Sequence, residues 1–277
     1  MKNILAKFPD KLSDKIIHAG REINEITLRS GKNVVIKCGN SYRTVGYITS
    51  SEEVSECFRK ICDMSVYAYL DELRSGFITI DGGHRVGICG TTVLRDGEIY
   101  NIKNISSLNI RIAREAKGCA DKLCFDIKNL LIISPPGCGK TTLLRDLCRK
   151  LGRVKKVSVI DERGEIAGMH NSMPCFDIGD MTDVMSLCDK RYGIETMLRS
   201  MSPDYIVTDE IAEKDCGAIR RAVSCGVNII ASAHGDSIDS TVERISIEKH
   251  LFDNIVLLGC SKGIGTIEKI YSGGRAA

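Results

Sequence analysis

From residue 23 to residue 49, apolar and polar positions alternate loosely through EITLRSG, NVVIKCG and YRTVGYIT, punctuated by Gly31, Gly39 and Gly46. A period of two puts one side of each segment into a core and the other into water, which predicts short antiparallel strands. The period then changes. Ser50 and Glu53 have the spacing of a helix-opening capping box. Val54, Cys57, Phe58, Ile61, Cys62, Tyr69, Leu70 and Leu73 recur at helical intervals, predicting a helix that runs on to Gly76. FITIDGGHRVGICGTTVL predicts a hairpin about Asp81-Gly82-Gly83, and SLNIRIAR another strand. Residues 1–117 therefore read as a smaller α+β domain.

After Lys117-Gly118 the runs become apolar on both faces: LLIIS (130–134), KVSVI (156–160), YIVTD (205–209), NIIASA (228–233) and IVLLG (255–259). Helix-length segments separate them. Strands apolar all round, spaced in this way, imply a parallel sheet covered on both sides. Residues 118–277 thus read as an α/β domain.

Composition narrows the function. Net charge is 39 − 36 = +3, aromatic residues make up 5% and Trp is absent. That is too mild a charge, with no stacking platform, for a nucleic-acid binder. No apolar run approaches the roughly 18 residues of a membrane span. Lys7, Pro9, Asp10 and Lys11 interrupt the N-terminus before a signal-peptide core can form. A cytoplasmic, soluble protein is expected, at most peripheral at a membrane. The 13 cysteines include no CxxC pair, and Cys57/Cys62 and Cys119/Cys124 lack a second half-site for zinc. They read as reduced thiols filling small apolar spaces.

The chemistry begins at Ser134-Pro135-Pro136-Gly137-Cys138-Gly139-Lys140-Thr141-Thr142, between the LLIIS strand and the amphipathic TTLLRDLCRKLG. A phosphate-binding loop wants GxxxxGK[ST] in this strand–helix context, and only its first glycine is replaced, by Ser134. Glycines let consecutive N–H groups converge on phosphate, Lys140 adds a cation for the β/γ-phosphates, and the Thr141 hydroxyl is placed for Mg²⁺. The YIVTDE run ends in two acids: Asp209 is assigned to Mg²⁺ and Glu210 to activating the attacking water. Asp161 and Glu162 end a third strand and His234 a fourth, so four strands deliver functional groups to one carboxyl-end rim. His234 reads as a γ-phosphate or water sensor. Phosphoryl transfer also needs its developing charge neutralised, often from a neighbouring subunit. Arg85, Arg111, Arg114 and Arg199 are the candidates.

The second half resembles the RecA-like secretion ATPases of type II and type IV systems. LRSMSPD (198–204) is similar to their LRxxPD segment with one extra residue, Ser232-Ala233-His234-Gly235 to their histidine box, Ile160-Asp161-Glu162 to their aspartate box, and Asn109-Ile110-Arg111 to the element joining their two domains. EITLRSG, GFITIDGGHRVGICG, SLNIRIARE, PPGCGKTTLLRDL, VIDERGEIAG and MLRSMSPDYIVTDEI resemble the stage III sporulation protein AA group more closely. The resemblance implies a RecA-like P-loop ATPase core behind a smaller α+β domain, taking ATP and Mg²⁺. It implies a homohexameric ring in which N-terminal-domain arginines reach the nucleotide and hydrolysis changes the angle between the domains. It further implies a place in the mother cell, powering or assembling a channel complex with membrane-protein partners around the forespore. Asp209 stands where secretion ATPases commonly have glycine, and their tetracysteine zinc module is absent.

Other readings are weaker. No LSGGQ-like segment precedes the acidic strand, as an ABC-type ATPase requires. Two further strands after Glu210 leave little room for the helical lid of a AAA+ remodelling ATPase or the Arg-rich lid of a small-molecule kinase. A nucleotide-gated scaffold with little turnover remains the non-enzyme alternative, and it gives Glu210 no task.

Overall fold

Alternation in the first third of the chain yields β1 (Ile23–Arg29), β2 (Lys32–Cys38) and β3 (Ser41–Thr49), and the later segments yield β4 (Phe77–Ile80), β5 (His84–Arg95) and β6 (Glu98–Arg111). They form one antiparallel sheet in the order β3-β2-β1-β6-β5-β4. This computed structural model describes residues 2–20, 23–39, 41–65, 69, 73–74, 76–124 and 126–273. Helices α1 (Lys2–Leu5), α2 (Asp10–His18) and α3 (Ser51–Ile61) accompany the sheet. Its inward positions Ile26, Leu28, Ile36, Leu108 and Ile110 join Leu12 and Ile16 of α2 and Val54, Phe58 and Ile61 of α3 in one core.

Helix α3 opens on the expected capping box: the Glu53 N–H donates to Ser50 Oγ, and the Ser50 N–H donates back to Glu53 Oε2. It does not run on to Gly76. Asp63 and Met64 have φ of +47° and +64°, left-handed values that end a right-handed helix. Tyr69 and Leu73 are buried without continuing it, and Leu70 lies outside the described residues.

The apolar runs form β7 (Leu130–Ser134), β8 (Val157–Asp161), β12 (Tyr205–Thr208), β13 (Asn228–His234) and β14 (Asn254–Gly259). With β11 (Thr182–Ser186) and β15 (Thr266–Ser272) they make a seven-stranded sheet, β11-β8-β12-β13-β7-β14-β15, parallel except at β15. Three strands follow Glu210, not two. β11 and β15 are the edges, only half-buried or exposed, so they carry no continuous apolar run. Helices α4 (Lys140–Leu151), α5 (Lys190–Ser200), α6 (Cys216–Ser224) and α7 (Ile238–Arg244) connect the strands. The core includes Leu131, Ile133, Ile160, Ile206, Ile219 and Ile229.

The chain divides into two units, 1–114 with 168–175 and 115–167 with 176–277. The two-strand hairpin β9 (Met169–His170) and β10 (Met173–Pro174) groups with the first unit, although it lies far beyond residue 117. Its turn residues Asn171 and Ser172 both have positive φ, +47° and +64°, the geometry that closes a two-residue hairpin.

Candidate functional site

Parallel pairing sets Ser134 beside His234 and Ile160 beside Thr208. β8, β12, β13 and β7 are consecutive in the sheet, so their carboxyl ends share one rim. At the β7 end, Gly137 and Gly139 have φ of +74° and +88°, which favour glycine. Gly139 is the N-cap residue of α4. Alternating left-handed glycines ahead of a helix N-terminus form a concave nest of N–H donors with positive potential, an anion site. Pro135 is half-buried, Pro136 and Gly137 are exposed, and Cys138 is buried.

Lys140 opens α4 and is buried. Its Nζ donates to the Ser134 carbonyl at 3.1 Å and to Ser134 Oγ at 3.3 Å. Ser134 therefore supplies both acceptors, and its hydroxyl is the one that a glycine would lack. Burial lowers the Lys140 pKa, and the Glu210 carboxylate opposes that shift. Thr141 and Thr142 follow, half-buried, in the first turn of α4.

Glu210 is held at φ +25° and its N–H donates to Ser232 Oγ of β13 at 3.1 Å. Its Oε2 lies 2.6 Å from Arg163 Nη1 and its Oε1 3.6 Å from His234 Nε2. Asp209 is buried, and burial pushes its pKa up to about 6, with Lys190 opposing. Its Oδ1 stands 3.5 Å from Lys190 Nζ and makes no hydrogen bond. Glu162 pairs with the same Lys190 and, at 3.9 Å, with Lys214.

Asp161 is not at the working face of the rim. Its carboxylate accepts the N–H groups of Glu165, Ile166 and Ala167 at 2.8, 3.1 and 2.9 Å, so it holds the loop after β8. Arg199 lies on the exposed end of α5, where its Nε donates to the Glu195 carbonyl at 3.1 Å. Arg85, Arg111 and Arg114 belong to the first unit. Arg85 lies over the Phe77 ring, Arg111 Nε is 3.3 Å from Glu25 Oε1, and Arg114 Nη2 donates to the Ile23 carbonyl at 3.0 Å. The structure thus brings Lys140, Glu162, Asp209, Glu210 and His234 together in the second unit, while Arg199 of the same unit turns to Glu195 instead.

Sequence reading missed Lys190, Arg163 and Ser232. Lys190 is the first residue of α5, behind the Asp189 N-cap, in a stretch that carries no motif. Arg163 is legible as the third residue of Asp161-Glu162-Arg163, and nothing in the pattern assigns it to Glu210.

A nucleotide's Mg²⁺ needs few protein oxygens, because phosphates and water fill most of its octahedral shell. Among the described residues no three His, Cys, Asp or Glu side chains group as a metal cage. The orphaned, buried Asp209 Oδ1 and the Thr141 hydroxyl are the kind of sparse oxygen set that such an ion takes, so the residues fit it.

Comparison with known proteins bears on family and fold. The family model for sporulation stage III, protein AA matches residues 1–276. Stage III sporulation protein AA of Bacillus subtilis is 36% identical over 98% of this chain and 91% of its own length. Among solved structures, the ATPase DotB of Legionella pneumophila superposes with a TM-score of 0.60 at 15% identity, over 90% of this chain and 76% of that one. The pilus retraction motor PilT, solved with bound ADP, gives 0.64 at 14% identity, over 89% and 76%. At such identities the structural likeness speaks for the fold alone, a RecA-like α/β core behind a smaller α+β part. Identity along nearly the whole chain speaks for descent, and this chain belongs to the sporulation stage III, protein AA family.

Proposed function

We propose that the chain is a Mg²⁺-dependent ATPase of the secretion-motor kind. It would work as a homohexameric ring and power or assemble a sporulation channel complex of membrane proteins between mother cell and forespore. One observation carries the reading: a glycine nest and buried lysine at a helix N-terminus share a strand-end rim with Asp209, Glu210 and His234.

In this mechanism the 134–142 loop holds the phosphates, and Lys140 leaves Ser134 to neutralise β/γ charge. Thr141 and Asp209 would hold Mg²⁺, which would supply neutralisation of the charge developing on the phosphates. Glu210 Oε1 accepts the proton of the attacking water, and His234 hydrogen-bonds the γ-phosphate or that water. Lys190, held by Glu162, stands beside Asp209 and offsets its buried charge. Arg111, Arg114 and Arg199 complete the charge balance from adjacent subunits. No helix among the described residues is long and apolar enough to cross a membrane, so contact with membrane proteins would be peripheral. The proposed domains are an N-terminal α+β domain, 1–117, and a RecA-like ATPase domain, 118–277.

A second reading has its own support. Arg163 occupies Glu210 Oε2 at 2.6 Å, and a base so paired is held back. That geometry suits a nucleotide-gated scaffold, or a motor silent until a partner draws Arg163 away. ATP hydrolysis by the wild type and Lys140→Ala, with light scattering with and without nucleotide, tests both. Turnover lost in Lys140→Ala and a nucleotide-promoted ring support the motor. Tight ATP binding without turnover favours the scaffold.

A further inference from the structure

Cys138 sits between the two left-handed glycines of the phosphate loop, and its buried sulfur stands 2.9 Å from that of Cys260. Cys260 directly follows β14 and is exposed. The turn that it opens lies against the same loop. A Cβ on Gly139 would meet Ile264 Cγ2 at 3.3 Å and Gly265 Cα at 3.7 Å. Lys122 Nζ donates to the Gly265 carbonyl at 2.5 Å and ties that turn down. Two thiols 122 residues apart in sequence are thus apposed, one in the nucleotide-binding loop and one open to solvent.

We propose that Cys138 and Cys260 form a redox pair, with a hydroperoxide as the oxidising substrate, whose disulfide closes the phosphate loop to nucleotide. The exposed Cys260 thiolate attacks one peroxide oxygen; the O–O bond breaks, ROH leaves with a proton, and Cys260 becomes a sulfenic acid. The Cys138 thiolate then attacks the sulfenic sulfur; the S–S bond forms, the S–O bond breaks, and hydroxide leaves as water. In sum, two thiols and ROOH give one disulfide, ROH and water, and the two electrons lost by sulfur are gained by the peroxide. A dithiol reverses the change by two exchange steps. The contact with Cys260, and then burial, push the Cys138 thiol up, so Cys138 is the resolving partner and the exposed Cys260 the sulfur that meets an oxidant. Binding phosphate requires the N–H groups of 137–140 to converge and Lys140 to leave Ser134. A loop bonded to the end of β14 has lost that freedom. The gate rests on the ATPase reading, whereas the bond does not.

The test uses the full chain, hydrogen peroxide and a fluorescent ATP analogue. After oxidation and alkylation, trypsin should release peptides 129–140 and 250–262 joined, as read by mass spectrometry without reductant. Affinity for the analogue should fall by about tenfold or more and return with dithiothreitol. Cys260→Ser should keep its affinity through the same treatment. Unjoined peptides, at peroxide doses that oxidise other cysteines, overturn the pair. Joined peptides with unchanged affinity overturn the gate, as does an equal loss in Cys260→Ser. A reduced chain that binds no analogue fails the ATPase reading and the gate together, while the joined peptides still establish the pair.

Discussion

Glu210 is strained at its backbone. A non-glycine residue at φ +25° costs on the order of 1–3 kcal/mol and persists only where neighbours over-determine it. Here the Ser232 hydroxyl takes the Glu210 N–H and the Ser232 carbonyl takes the Ile211 N–H at 2.7 Å. Glu210→Gln is expected to keep ATP affinity and lower turnover by roughly 10²–10⁴, the usual share of a general base. A single-turnover assay beside a binding titration checks both parts. Lys190 is the other residue whose environment dictates an outcome. It is buried with Glu162 and Asp209 around it. Lys190→Ala leaves the buried Asp209 carboxylate without its ion-pair partner and should cost about 3–5 kcal/mol in urea unfolding. At this scale the sequence is partly legible. Lys140 and Glu210 announce themselves by motif. Lys190 reaches its partners only through the crossing of α5 over the strand ends, which no local spacing encodes.

Among the elements, strands apolar on both faces were readable because a doubly covered parallel strand has no polar side to alternate. The edge strands β11 and β15 escaped because β11 is only half-buried throughout and β15 mostly exposed, and their runs are broken by Asp183, Glu268 and Lys269. The overlong α3 has a different cause: apolar spacing cannot register a backbone reversal at Asp63 and Met64, and Tyr69 and Leu73 fill the same core after it. Gly152, read from sequence as a helix stop, has a second task. A Cβ there would lie 2.6 Å from the Ile178 carbonyl, because the 178–182 loop crosses the end of α4 at that point. Gly152→Ala should therefore destabilise the chain by about 1–3 kcal/mol, as overpacking does. A thermal melt measures it. An exposed glycine with only a capping role would lose far less.

At the scale of the molecule the two units carry opposed buried titrations. His84 of the first unit is buried, accepts the Ala113 N–H at 3.0 Å through Nδ1, and has its pKa lowered by burial to about 4. The neutral ring is the bound form. Its contribution is complete above the unfolded value near 6.5 and is lost as pH falls through 6.5 toward 4, up to about 3 kcal/mol. Asp209 of the second unit has its pKa raised to about 6. Its penalty is absent at low pH and grows as pH rises from about 4 to 6. Acidification from pH 7 to 4.5 should thus weaken the first unit through His84, and His84→Asn should flatten that loss. Calorimetry across this range, wild type beside variant, reads the difference; identical profiles would contradict the assignment of acid sensitivity to His84.

The sequence alone determined what depends on neighbours along the chain. That covers the antiparallel strands from their alternation, the parallel strands from their continuous apolar runs, the capping box of α3, and the glycine-containing loop lying between strand and helix. Each rests on a periodicity, on a short side-chain spacing or on a glycine's backbone freedom, and all three are local properties. Tertiary structure decided what depends on groups distant in sequence meeting. Hairpin 168–175 joins the first unit, Asp161 turns inward to its loop, Lys190 stands between two acids, Arg163 sits on Glu210, and the Cys138 and Cys260 sulfurs are apposed. Charges and thiols have no period, so only the order of strands in the sheet and the crossing of its loops could bring them face to face.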